Sequence, residues 1–194
     1  FVADTEELLK KSVQQHLRAD VPIGSFLSGG YDSSALTLWM KEAGKPPKTF
    51  SIGFENWGKS EHFFAKKVSD HLELKNAAIV ATAKSLDLVD LMAKVYDEPI
   101  ADISIVPTYM VSQLARNEVK AVFSGEGADE LFGGYTWQHD YFNQSYNKGI
   151  IQKLKNILSP SDPVQFYAQA MAMGWFDTEE LKKMLHPDLH ASIP

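Results

Sequence analysis

Strand-like and helix-like segments alternate from residue 5 to residue 124 of the 194-residue chain, and no other feature restricts its fold as much. TEELLKKSVQQHL (5–17) spaces its apolar residues as a helix does, with Thr5 a candidate N-cap, and Pro22 interrupts the pattern. PIGSFL (22–27) reads as a short buried strand, DSSALTLWMKEAG (32–44) as a helix stopped by Gly44, and KTFSIGF (48–54) as a second strand. SEHFFAKKVSDHL (60–72) is the next helix and NAAIVA (76–81) a third strand. AKSLDLVDLMAKVYDE (83–98) is helical up to Pro99, another helix covers 107–117, and VKAVFS (119–124) is a fourth strand. Elements of these lengths in this order predict an α/β fold: an open parallel sheet with helices on both faces and right-handed crossovers. After Tyr135 the texture changes to aromatics and amides (WQHDYFNQSYN), then to helical segments. Residues 1–140 are therefore expected to form the core, and 141–194 a mainly helical, truncated continuation of the same domain.

Composition removes several classes of function. Lys and Arg total 19 against 25 Asp and Glu, a formal charge of −6, so the chain lacks the basic surplus of a nucleic-acid or anionic-membrane binder. With no cysteine, disulfides, thiolate zinc sites and thiol nucleophiles are excluded. The six histidines show no metal-ligand spacing. Without a signal peptide or a long apolar run, the expected compartment is the cytoplasm. A first residue of Phe and a loop-like last segment, HPDLHASIP, suggest a piece of a larger protein.

Chemistry concentrates in two strand-end loops. Ligands of open parallel sheets bind at the carboxyl ends of strands. In FLSGGYDSS (26–34), Gly29 and Gly30 permit a sharp bend and a close approach of backbone to ligand. The helix that follows aims its first N–H groups into the bend, an arrangement suited to phosphate, and Ser28, Ser33 and Ser34 add hydroxyl donors. Asp32 would repel phosphate unless it holds Mg²⁺. The same residues also suit an ordinary capped strand-to-helix turn. In SGEGADELFGGY (124–135), Glu126, Asp129 and Glu130 crowd among small residues at the end of another strand, a repulsive arrangement that calls for a cation or a positive partner. A competing signal is GFENWGKS (53–60), a literal G-x-x-x-x-G-K-S string built on Lys59, which would make the chain a P-loop NTPase. Phe54 and Trp57 are bulky for a loop that must wrap phosphate, and no later apolar strand ends directly in an aspartate.

Taken in order, DVPIGSFLSGGYDSS, TFSIGF, DEPIADISIVPTY and VFSGEGADELFGGY resemble the synthetase domain of glutamine-dependent asparagine synthetase, a member of the PP-loop ATP pyrophosphatase superfamily. The resemblance covers residues 5–140, and SGEGADELFGGY is its most specific part. It implies an adenine nucleotide alpha hydrolase-like, Rossmann-like fold and an ATP-dependent carbon–nitrogen ligase. The aspartate side-chain carboxylate would be adenylated, releasing pyrophosphate, and ammonia would convert the acyl-adenylate to asparagine and AMP. Under this resemblance Ser28, Gly29, Gly30, Ser33 and Ser34 hold the leaving pyrophosphate. Asp32 and Asp129 bind Mg²⁺, and Phe26, Ile52, Ser124 and Gly125 contact adenosine. Glu126 matches a glutamate tied to intermediate formation and amide synthesis, in which it would orient ammonia and accept its proton.

The implied partners are aspartate, ATP with Mg²⁺, and ammonia from a glutaminase domain upstream in the intact protein. Neither nucleic acid nor membrane is among them, and a homodimer is left open. Asp97, Glu98 and Asp102 of DEPIAD fit either a role in the site or an acidic turn. Arg116 fits either a carboxylate partner or a helix end. The family's downstream basic segment has no match in 140–194, so weak nucleotide binding and poor turnover by this chain alone are expected. Two other readings remain: a same-fold amidotransferase acting on a sugar acid or cyclising a β-lactam, and a non-catalytic remnant.

Overall fold

The computed structural model describes residues 2–56, 58, 60–98, 100, 102–139 and 182–192. The chain divides into two compact units, Phe1–Ala128 and Asp129–Pro194.

The first unit is built on four parallel strands: β1 (Ile23–Phe26), β2 (Lys48–Phe54), β3 (Asn76–Ala81) and β4 (Ala121–Phe123). Their order across the sheet is β3-β2-β1-β4. Helix α1 (Val2–His16) precedes the sheet, α2 (Tyr31–Glu42) links β1 to β2, and α3 (His62–His71) links β2 to β3. Helices α4 (Val89–Val95) and α5 (Ile105–Arg116) return the chain from β3 to β4. Strand period two divides the side chains between the faces. On one face Phe50 packs with Val111, Ala115 and Val119, joined by Phe26, Ile52 and Val122. On the other, Val13, Leu17 and Met40 pack with Ile23 and Phe123. The sheet is thus covered on both sides, as the alternating sequence predicts. With crossovers of one hand, steps toward β3 place α2 and α3 on one face and the return to β4 places α5 on the other. The direction reverses between β1 and β4, which opens a crevice at their carboxyl ends.

Two glycines seat α3. Gly29 has φ of 87°, and a Cβ there would lie 2.6 Å from the Phe64 and Ala65 backbone. A Cβ at Gly53 would lie 2.0 Å from His62 Nδ1. Only glycine lets the helix approach both β2 and the β1–α2 turn this closely.

Strands β2 and β3 have the expected bounds, whereas other boundaries shift. Helix α1 begins at Val2, ahead of Thr5, so Thr5 is not its N-cap; Asp4 lies in the first turn, where a carboxylate suits the helix dipole. The segment expected as one helix over 83–98 is a 3₁₀ stretch, Ala83–Leu88, followed by α4. Ser85 explains the tight start: its backbone N–H donates to the Thr82 carbonyl at 2.8 Å, and its Oγ accepts from the Thr82 N–H at 3.1 Å. Strand β4 begins at Ala121 because Val119 N–H still bonds Ala115 O, in the turn leaving α5. No helix among the described residues is long and apolar enough to cross a membrane.

In the second unit the described residues are 129–139 and 182–192. Helix α6 (Ala128–Phe132) leads into it. The Tyr135 hydroxyl donates to the Glu130 carboxylate, holding that carboxyl below its usual range, and the Tyr135 ring stacks on Trp137 with centroids 6.1 Å apart. Residues Pro187–Ser192 form a 3₁₀ turn. Of the helical continuation expected over 141–194, residues 141–181, 193 and 194 lie outside the described residues.

Candidate functional site

Strands β1 and β4 are paired in parallel, Ser25 beside Phe123, so both chains leave the sheet at the same end. The loops that follow meet there. A Cβ added at Gly125 would sit 3.1 Å from the Ser33 nitrogen and 3.2 Å from Asp32 Cβ. Gly125 is therefore the residue that lets the β4 loop lie against the first turn of α2. This contact brings together 28–34 and 124–126, which are separated by some ninety residues of sequence.

The β1–α2 turn is held by its own serines. Ser28 N–H donates to Ser33 Oγ at 3.2 Å, the two hydroxyls bond at 3.0 Å, and Gly30 N–H donates to Ser28 Oγ at 3.2 Å. Gly30 is the N-cap of α2 in extended conformation, and no side chain caps the helix. The first N–H groups of a helix have no intrahelical acceptor, so this end presents donors to an anion. Ser34 Oγ is buried without a hydrogen-bond partner. An unmatched buried hydroxyl costs about 1–3 kcal/mol. Asp32 is exposed in the same turn. Gly29 and Gly30 differ in use: Gly29 is closed off by α3, whereas a Cβ at Gly30 would meet only Ser28 Oγ, at 3.3 Å.

Ser124 and Gly125 are half-buried, and Glu126 is exposed, its N–H donating to Ser124 Oγ at 3.3 Å. Gly127, φ 88°, turns the chain into α6, where Asp129 opens the second unit. Phe26, paired with Phe50 across β1 and β2, and Ile52 are on the α5 face, both packed against the Phe50 cluster. Phe26 also lines a cavity of about 420 Å³ with Val122 and Arg116, the latter in the last turn of α5, where a cation suits the helix dipole.

Two further groups stand apart from this crevice. Asp102 accepts a 2.7 Å hydrogen bond from the Ser104 N–H, which lowers its pKa below the ordinary carboxylate value. It lines a cavity of about 600 Å³ with Phe54, Ala81 and Val106, beyond the carboxyl ends of β2 and β3. Asp97 and Glu98 are exposed after α4. Among the described residues no three His, Asp or Glu side chains are grouped as a metal cage. Mg²⁺ is commonly held by one or two carboxylates together with substrate phosphates, a requirement that Asp32 in the cradle suits.

The P-loop reading of 53–60 fails on geometry. Gly53 is inside β2, with the His62 ring where a side chain would begin. Ser60, the residue such a loop would turn toward metal, is fully buried; its Oγ accepts from the Phe54 N–H at 2.8 Å and bonds His62 Nδ1 at 2.8 Å. Lys59 lies outside the described residues. Sequence reasoning also missed Ser25 and Thr37, two fully buried polar residues behind the cradle. The available signal was a serine inside an apolar strand and a threonine one helical turn beyond Ser33.

A parallel sheet with helices on both faces, whose β1 and β4 loops meet at the point where the strand order reverses, defines an open α/β domain with a ligand crevice at that point. The chain belongs to the asparagine synthase family, whose model, described as Asparagine synthase, matches residues 4–191. It is 41% identical over 159 residues to asparagine synthetase [glutamine-hydrolyzing] 1 of Bacillus subtilis (strain 168), covering 81% of this chain and 25% of that protein. It is 40% identical over 162 residues to putative asparagine synthetase [glutamine-hydrolyzing] 2 of Methanocaldococcus jannaschii, covering 81% and 30% respectively. The chain thus spans less than a third of the length of either relative. Among solved structures it is similar to an NH3-dependent NAD synthetase from Campylobacter jejuni, at 15% identity and a TM-score of 0.48, covering 98% of this chain and 90% of that one.

Proposed function

We propose that this chain is the ATP-binding core of a cytoplasmic, glutamine-dependent asparagine synthetase, an ATP-dependent carbon–nitrogen ligase. The observation that carries the reading is the seating of Gly125 against Asp32 and Ser33. That contact supports one ligand shared by the 28–34 turn and the 124–126 loop, in a chain whose family is established. The relatives' names specify glutamine hydrolysis, which supports ammonia supplied by a glutaminase domain and aspartate as the acceptor.

In this proposal Ser28, Gly30, Ser34 and the first turn of α2 hold the β- and γ-phosphates of ATP through N–H and O–H donors. Gly29 and Ser33 shape the turn, Ser33 acting on the anion through its hydrogen bond to the Ser28 hydroxyl. Phe26, Ile52, Ser124 and Gly125 receive adenosine at the strand ends. The aspartate carboxylate oxygen attacks the α-phosphorus, the bond to the bridging oxygen breaks, and pyrophosphate departs into the cradle. Asp32 is a proposed Mg²⁺ ligand, and the ion would neutralise charge on that leaving group. Ammonia then attacks the acyl carbon and AMP leaves; Glu126 orients the ammonia and takes its proton.

The test is titration of the chain with MgATP and with pyrophosphate, followed by pyrophosphate release in the presence of ammonia and either aspartate or a sugar acid. Binding of both ligands, with weak release that depends on aspartate, is expected. Release that depends on the sugar acid alone would move the substrate assignment to the related amidotransferases, and ADP as product would overturn the reaction.

A further inference from the structure

A run of buried hydroxyls leads from the centre of the sheet to the cradle. Ser25 and Thr37 are fully buried and Ser33 is 8% exposed. Thr37 Oγ1 donates to the Ser33 carbonyl at 2.8 Å, because that oxygen can only accept. Having used its single proton, Thr37 must accept from Ser25 Oγ, 2.9 Å away, in preference to the longer alternative from Ser25 to Phe26 O at 3.3 Å. Farther along, Ser33 Oγ already accepts from Ser28 N–H. Its own proton has two acceptors, Ser28 Oγ at 3.0 Å and Gly30 O at 3.4 Å. With the shorter bond made, Ser28 Oγ accepts twice, from Ser33 and from Gly30 N–H. Its remaining proton then has no acceptor in the turn and is presented outward. The hydroxyl protons thus run outward from the sheet in two segments, Ser25 to Thr37 to the Ser33 carbonyl and Ser33 to Ser28, joined through the Ser33 residue itself.

We propose that Thr37 and Ser25 are positioning residues for the pyrophosphate end of the site: the Ser25–Thr37 pair pins the Ser33 carbonyl, which fixes the Ser33 hydroxyl and so keeps the Ser28 proton directed at an anionic oxygen. This rests on the nucleotide reading above and adds to it two residues that touch no ligand. Both are polar where apolar side chains would pack as well. Thr37 in particular replaces a valine-shaped volume with a hydroxyl whose bonds go to the strand on one side and the first turn of α2 on the other.

The experiment compares the chain with Thr37→Val, Thr37→Ser and Ser25→Ala variants, each titrated with Mg²⁺-pyrophosphate and, separately, with AMP. Thr37→Val is expected to weaken pyrophosphate binding about five- to tenfold, the loss of about one hydrogen bond. AMP binding should be unchanged and Thr37→Ser should restore the parent affinity. A general loosening of the fold would weaken both ligands together and would overturn the proposal. So would an unchanged pyrophosphate affinity in Thr37→Val. If Thr37→Val does not fold, Ser25→Ala carries the same test: selective loss on pyrophosphate supports the proposal and unchanged binding overturns it. If the parent chain binds neither ligand, the nucleotide reading itself falls and this inference falls with it; parent binding with indifferent variants removes only the inference.

Discussion

The β1–α2 and β2–α3 junctions both offer a strand, a glycine-containing turn with serine, and a helix, yet the structure uses them in opposite ways. At β1–α2 the N-cap is Gly30 with no side-chain cap, Ser34 Oγ is buried without a partner, and Asp32 is exposed. At β2–α3 the serine hydroxyl turns inward, with Ser60 closing its own loop on Phe54 N–H and His62. Neither helix has a side-chain cap, but Ser60 Oγ is spent inside its own loop whereas Ser34 Oγ at the first junction has no partner. Whether a turn has donors left for an anion depends on the hydrogen bonds it has already made, and a string of residue types does not report whether they are spent.

The largest effect that separates the two junctions should come from charge. Asp32→Ala is expected to weaken MgATP binding by at least about tenfold, near 1.4 kcal/mol, while Lys59→Ala leaves it unchanged; isothermal titration of both variants decides, and the reverse ranking would restore the P-loop reading. On stability, as distinct from binding, the largest effect is expected from Gly29→Ala. The added methyl meets the α3 backbone at a φ of 87°, so a loss of about 2–5 kcal/mol of stability is expected from left-handed strain and overpacking together. Gly30→Ala has room and ordinary φ, and should melt within a few degrees of the parent.

Gly125→Ala sharpens the contrast differently. Its methyl presses on Asp32 and Ser33 at 3.1–3.2 Å, close enough to part the loops without disturbing the core. MgATP affinity should fall several-fold with little change in thermal melting. Equal losses in both would mean that Gly125 serves the fold and not the site. The smallest effect concerns acid. The Ser104 N–H lowers the Asp102 pKa, so its contribution to stability is present above the ordinary carboxylate pKa and is lost as pH falls through the lowered value. Melting of Asp102→Asn against pH should therefore show a slightly shallower decline below about pH 4. A steeper decline would contradict the assignment.

What the sequence made legible follows the range of the interactions. Strands β2 and β3 match their expected bounds because apolar runs between turn residues are local signals. Gly29 was legible as a bend, but its packing against Phe64 and Ala65 depends on where α3 lies, which no local string records. For the same reason the sequence weighs against 53–60 as a phosphate loop only through the bulk of Phe54 and Trp57 and the lack of a later strand ending in aspartate, while the His62 ring over Gly53 is visible only in the fold. The 3₁₀ start at 83–88 was hidden because Ser85 and Thr82 bond each other within one turn, against the helical spacing of the apolar residues around them. Serine and threonine in Ser25 and Thr37 were visible, but their pairing across β1 and α2 was not. The family resemblance carried what local pattern did not, namely the association of 28–34 with 124–126.

The most direct measurement is a two-dimensional NMR titration of the labelled chain with MgATP, following backbone amides. Concerted shifts at Gly29–Gly30, the first turn of α2 and 124–126, with those of Asn56, Gly58 and Ser60 unmoved, are the predicted result. Shifts centred on Asn56, Gly58 and Ser60, or confined to only one of the two facing loops, would contradict it.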